Sequence, residues 1–244
     1  MESSQIQSAC NERALAYIAQ SQDPRELIAL SESLRLGRSS CLYADDDGVV
    51  VRVTTPGDYL VGARDGTAAA RLLACVGPTE QTGDVIALQD ASWAAAVGFA
   101  PDAPLAYQIC VYEGSEPIPV RGTLRIAPLT VDDLAVVCDH YKNLPEDFIA
   151  RHLADGWMYG GYTAANELVG FVGEHDEGAI GMLEVFEAHR RRGYGWELEG
   201  FLINQMLKAG RVPFTQVVVG NEPSFALHRK LGFSVLPRVQ CWNW

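Results

Sequence analysis

The stretch from Glu184 to Gly195, EVFEAHRRRGYG, holds residue types suited to gripping a phosphate. Three consecutive arginines, Arg190, Arg191 and Arg192, lead into Gly193-Tyr194-Gly195. A guanidinium meets phosphate oxygens as a bidentate fork. Glycine accepts positive φ and lets a ligand approach the main chain. A strand-like run, 179–185, enters the stretch and a helix-like run, 196–208, leaves it. The glycines would therefore lie at a helix N-terminus, where unpartnered N–H groups and the helix dipole favour an anion. A second block follows. A strand-like run, 216–220, passes into Asn221-Glu-Pro-Ser224, then a short helix, then Leu231-Gly232-Phe233.

The spacing Arg190-x-x-Gly193-x-Gly195 resembles the pyrophosphate-binding signature of the GNAT superfamily of acyl-CoA-dependent N-acyltransferases, and the second block resembles the other half of that acyl-CoA site. The resemblance covers residues 123–244. It implies an α/β (α+β) fold with a mixed, mostly antiparallel central sheet flanked by helices. It also implies acetyl-CoA as co-substrate and direct attack by a primary amine in a ternary complex. Arg190, Arg191, Arg192, Gly193, Tyr194 and Gly195 would hold the pyrophosphate. The main chain around Leu183 and Val185 would bond the pantetheine arm, with Asn221 and Ser224 reaching it from the next strand. Asn221 serves equally well as a helix cap. Glu184, the one charged residue in an apolar strand, is the candidate general base. The family's tyrosine general acid, in an LYxKLGF-like run, is replaced here by His228, a residue type that also exchanges protons near neutrality. The ending Cys241-Trp242-Asn243-Trp244 is similar to glycine N-acyltransferase-type members. A non-catalytic acyl-CoA-binding sensor or scaffold is the alternative reading.

Composition narrows the partners. A net charge of −12 argues against nucleic acid. It divides as −9 over residues 1–120 and −3 over 121–244, so the second half keeps its local positive charge. No apolar run approaches a membrane span, and no signal peptide is evident at the N-terminus. Six scattered cysteines form no CxxC pair, so the expectation is free buried thiols, no metal and a cytoplasmic protein. The expected partner is a small-molecule amine or amino acid, bound by a monomer or homodimer.

The elements that must position this chemistry read as two similar halves. Residues 8–36 predict two helices, with Asp23-Pro24 as a helix start and Gly37 as a stop. Strands at 41–43, 49–53 and 59–61, a helix at 67–75, strands at 84–88 and 105–112, and a linker at 113–117 follow. The second half predicts strands at 123–126, 160–163 and 168–173, a helix at 146–153, and the two blocks described above. The matching order of elements predicts tandem copies, 1–116 and 117–244. The first copy has Gly62-Ala63-Arg64-Asp65-Gly66-Thr67 where the arginines and glycines should stand. Asp65 would repel a phosphate, so the first copy is expected to serve structure or to wall the substrate site. Glu174, His175, Asp176 and Glu177 read as a solvated acidic loop, with His175 or Glu177 as possible lining of the substrate mouth.

Overall fold

The computed structural model describes residues 2–77, 85–100 and 104–243. One continuous sheet runs through both halves. Its strands are β1 (Ser39–Asp45), β2 (Gly48–Val53), β3 (Tyr59–Ala63), β4 (Ile86–Leu88), β5 (Pro104–Tyr112), β6 (Arg125–Pro128), β7 (Met158–Tyr162), β8 (Leu168–Glu174), β9 (Ile180–Val185), β10 (Phe214–Val218) and β11 (Phe233–Asn243). Their order across the sheet is β1-β2-β3-β4-β11-β5-β10-β9-β8-β7-β6. All neighbours are antiparallel except β3–β4 and β9–β10.

Helices α1 (Glu2–Gln20), α2 (Ile28–Arg35), α4 (Leu134–His140) and α5 (Glu146–Ala154) cover one face, and α3 (Gly66–Val76), α6 (Tyr194–Lys208) and α7 (Glu222–Leu231) cover the other. Local chemistry sets their ends. Asp23 accepts from the Arg25 N–H ahead of a 3-10 turn that opens with Pro24, and Thr130 with Asp133 forms a capping box before α4. Asp46-Asp47 makes the two-residue hairpin between β1 and β2, with Asp45 opposite Gly48. The strand predicted at 84–88 begins at Ile86, and Asp84 lies outside the described residues. The segment after β5 lies along α6 as irregular chain, where Asn204 bonds both the N–H and the C=O of Ile118 (2.7 and 2.9 Å).

The two halves exchange their final strands. β11 lies between β4 and β5, while β5 lies between β11 and β10. Each half's last strand therefore completes the other half's sheet.

Two expectations are corrected. Cys10 on α1 and Cys41 on β1 are not free thiols but a disulfide pair, with Cα atoms 5.6 Å apart. Their 31-residue separation gave no spacing pattern to read. The turn 174–177 is not a solvated acidic loop. Glu174, Asp176 and Glu177 are buried, and the cationic partners of Glu174 and Asp176 come from elsewhere in the chain. Arg38 and Arg211 both pair with Glu174 (3.0 and 2.9 Å), and Arg151 grips both oxygens of Asp176 (2.5 and 2.9 Å). Arg38 also lies 4.0 Å from the ring centre of Trp157. Unlike a surface pair, an ion pair shielded this way is weakly screened by salt.

Candidate active site

The site begins with two parallel strands that part. β9 and β10 share a single pairing, Thr215 with Ile180, and diverge beyond it. The equivalent strands of the first half, β3 and β4, are paired at Tyr59–Ile86, Leu60–Ala87 and Val61–Leu88, and are extended by Gln89 N–H to Val61 O (3.0 Å). One gap is open and its counterpart is closed.

Strand β9 turns its main chain toward the gap. Met182 has φ +50° inside the strand, where the β8–β9 register slips by one residue. A left-handed non-glycine residue stores strain that persists only when its surroundings fix it, and Met182 is buried with Phe171 and Ile149. Beyond the bulge, the Phe186 N–H donates to Val169 O (2.9 Å) and Glu184 stands opposite Phe171. Antiparallel alternation then directs the polar main-chain groups of Leu183 and Val185 away from β8, toward the gap.

At the open end of the gap lies the N-terminus of α6. Arg191 (φ +63°) and Gly193 (φ +86°) are both left-handed, and the turn 190–193 is not helical. Alternating hand of this kind curls successive N–H groups into an anion-binding concavity. No side chain caps α6, so its first N–H groups are left to an external acceptor. A Cβ on Gly195 would meet only Leu227 and Val185 at 3.8 Å. The fold itself does not demand a glycine there, so the space it leaves fits a ligand lying close to the helix end. Arg191 and Arg121 carry no ion pair among the described residues, and Arg121 Nη1 reaches within 3.6 Å of where a Gly193 Cβ would stand. Arg121 was not visible as a site residue in the sequence, since it belongs to an irregular segment with no motif. It is positioned by Glu197, whose buried carboxylate accepts from the N–H groups of Thr123 and Leu124 (2.8 and 3.1 Å) and from the Thr123 hydroxyl. The residues present fit a diphosphate.

The other predicted residues fall as follows. Arg190 turns back on its own turn: Nε donates to Val185 O (2.9 Å), and Nη2 to Glu184 Oε1 (2.8 Å). Arg192 donates to Ala188 O (3.2 Å). Asn221 caps α7 by accepting from the Ser224 N–H (3.3 Å), which leaves its amide donor available. His228 is buried. Its Nδ1–H donates to Ser224 O (2.7 Å), its Nε2 lies 2.5 Å from Glu199 Oε1, and its ring packs edge-on to Phe233. The structure thus brings Leu183, Glu184, Val185 and the 190–195 turn together, and engages both His228 nitrogens within the α6–α7 layer.

A cavity of about 1170 Å³ opens on the α4–α5 face of the sheet. Tyr141, Leu144 and Phe148 line it from the α4–α5 segment, and Gln216 and Val218 from β10. The first half supplies Arg52, Asp58 and Tyr107, and β11 supplies Trp242. Burial, reinforced by the Glu184 carboxylate, pushes the Tyr141 phenol above its ordinary range. His175 and Glu177 also line the cavity. Burial holds the His175 imidazole down to about 4 and pushes the Glu177 carboxyl up to about 8.

In the first half the corresponding helix end is filled. Asp65 caps α3 by accepting from the Ala68 N–H (2.8 Å), and Arg64 is paired with Asp47 and Asp65. The place a phosphate would take is held by a carboxylate.

Residues 158–243 match the family described as FR47-like protein. No curated protein matches the chain in sequence. Among solved structures, a Drosophila protein aligns over 96% of this chain and 87% of its own, with TM-score 0.65 and 17% identity. A GCN5-related N-acetyltransferase-like protein from Streptococcus suis aligns over 98% and 99%, with TM-score 0.61 and 11% identity. A tandem GNAT protein from the clavulanic acid biosynthesis pathway aligns over 89% and 87%, with TM-score 0.50 and 15% identity. Among the described residues, no helix is long and apolar enough to cross a membrane. Sheet, splayed strands and structural matches agree: the chain has the fold of these GNAT structures, the tandem one included, and its C-terminal residues 158–243 match the FR47-like family.

Proposed function

We propose that this chain is an acyl-CoA-dependent N-acyltransferase that moves an acetyl group from acetyl-CoA to a primary amine by direct attack in a ternary complex. The observation that carries the reading is the β9–β10 gap, flanked by the strand that bears Glu184 and ending at the unfilled N-terminus of α6. Residues 117–244 supply the chemistry. Residues 1–116, whose gap is closed, supply a wall of the acceptor cavity.

In this mechanism Arg121, Arg191 and the 191–195 main chain hold the pyrophosphate. Leu183 and Val185 hold the pantetheine in line, with Asn221 Nδ2 at the start of α7, just past β10, on the opposite side. Holding the thioester beside the amine converts a bimolecular encounter into a local one, worth several kcal/mol of barrier. Glu184 takes the ammonium proton, directly or through water, which frees the nitrogen lone pair for the thioester carbon. The N–C bond forms, the acylated nitrogen sheds its remaining extra proton to water, and the C–S bond breaks. Both His228 nitrogens are engaged, so the thiolate takes its proton from water unless the Glu199 contact opens.

That same engagement of His228 favours a second reading, an acyl-CoA-binding sensor or scaffold without turnover. Calorimetric titration with CoA, followed by thiol release from acetyl-CoA over an amine panel, tests both. Binding with turnover supports the enzyme; binding without turnover for any amine supports the sensor; absence of binding rejects both.

A further inference from the structure

The cavity is walled by more than the proposed catalytic half needs. Four rings, Tyr107, Tyr141, Phe148 and Trp242, surround it, and four carboxylates, Asp58, Asp147, Asp176 and Glu177, face two guanidiniums, Arg52 and Arg151. Arg151 is spent on Asp176 through both oxygens. Arg52 donates to Gly57 O (3.1 Å) and lies 5.3 Å from the Tyr59 ring centre. Glu177 differs from the other carboxylates. It is 5% exposed, lines the cavity, and has no ion pair among the described residues. Its own main-chain N–H donates to it. Ionising a buried carboxyl that has no cationic partner is costly, and a cation entering the cavity would supply that partner. Aromatic faces add cation–π attraction for the same kind of guest.

We propose that the acceptor is a diamine, one nitrogen of which is acylated while the other, as ammonium, is held by Glu177 between the aromatic walls. The proposal rests on the acyltransferase reading and narrows its substrate. The groups facing Glu177 are His175 and Asp176 on its own turn, Arg38 just before β1, Asp58 on the β2–β3 loop and Tyr107 on β5. Of these, Asp176 and Arg38 are already paired. Burial leaves Glu177 protonated near neutral pH, so an arriving ammonium would displace its proton.

The test is calorimetric titration of the full chain with 1,4-diaminobutane and with 1-aminobutane, near pH 7, in two buffers of different ionisation enthalpy. The expected diamine preference is about 30-fold, the range of a charge-assisted hydrogen bond. The diamine heat should differ between buffers by the release of one proton. Glu177→Gln should erase both the preference and the buffer dependence, and leave CoA affinity unchanged. An equally tight monoamine, or an undiminished preference in Glu177→Gln, overturns the proposal. If Glu177→Gln does not fold, Glu177→Asp is read instead: a weakened preference supports the proposal and an unchanged one overturns it. Loss of CoA binding in the unmutated chain would reject the acyltransferase reading separately, since the diamine titration needs no cofactor.

Discussion

Arg190 and Glu184 are joined across the turn at 2.8 Å, with Arg190 Nε also on Val185 O at 2.9 Å. The first arginine of the signature thus ties the turn to the strand that carries the proposed base. Both members are accessible to solvent, so the pair itself is worth little to stability. Its effect is on position. Arg190→Ala should lower kcat by about tenfold through a loosened Glu184 while Glu184→Gln lowers it by about 10²-fold or more, the usual range for a general base. Neither should change thermal stability by more than about 0.5 kcal/mol. Steady-state kinetics with denaturant melts checks this.

The phosphate-binding end can be tested apart from the chemistry. Gly195→Val fills space the fold leaves open, and Arg191→Ala removes an unpaired guanidinium. Each should weaken CoA binding by about 5- to 30-fold, the worth of one charge-assisted contact. Arg121→Ala should do the same. The losses should vanish for a pantetheine fragment without the diphosphate and shrink at high salt. Equal losses for CoA and the fragment would sink the assignment.

Stability should carry the mark of the 174–177 turn. The folded Glu177 carboxyl, near 8 against an ordinary 4.5, binds a proton that the unfolded chain has lost, so its contribution falls as pH rises from about 4.5 to 8. The folded His175, near 4 against 6.5, refuses a proton that the unfolded chain takes, so its contribution rises over about pH 4 to 6.5. The two oppose below pH 6.5. Above it Glu177 acts alone, and stability should fall by up to ~1.4 kcal/mol per pH unit toward pH 8. Glu177→Gln should flatten that limb in urea melts at stepped pH.

The Cys10–Cys41 link closes a loop of 31 residues between α1 and β1. Thiol titration of the denatured, unreduced chain should count four, Cys75, Cys110, Cys138 and Cys241. Reduction, or Cys10→Ser, should cost about 2–4 kcal/mol and lower Tm, with α1 losing amide protection first.

Much of this arrangement was legible from residue order. The strand–turn–helix of 179–208, the Asn221 cap and the repeated order of elements in the two halves rest on local patterns of turns, caps and periodicity, which act within a few residues. What escaped notice depends on contacts distant along the chain. Glu174 is buried because Arg38 lies 136 residues away, and Arg121 reaches the glycine turn because Glu197 holds Thr123 from 74 residues away. The turn that looked solvated by composition is the charged floor of the cavity. The parting of β9 from β10 depends on the bulge at Met182, and nothing in that residue's type announces a left-handed backbone.

Because β11 of one half is seated between β4 and β5 of the other, neither half can lose its fold alone. A lesion in β4, far from any reacting atom, would strip a neighbour from the strand that bears Trp242 and so reach the acceptor wall. The two halves should therefore share a single melting transition, and under the proposed function selection on catalysis would guard residues of a half that performs none.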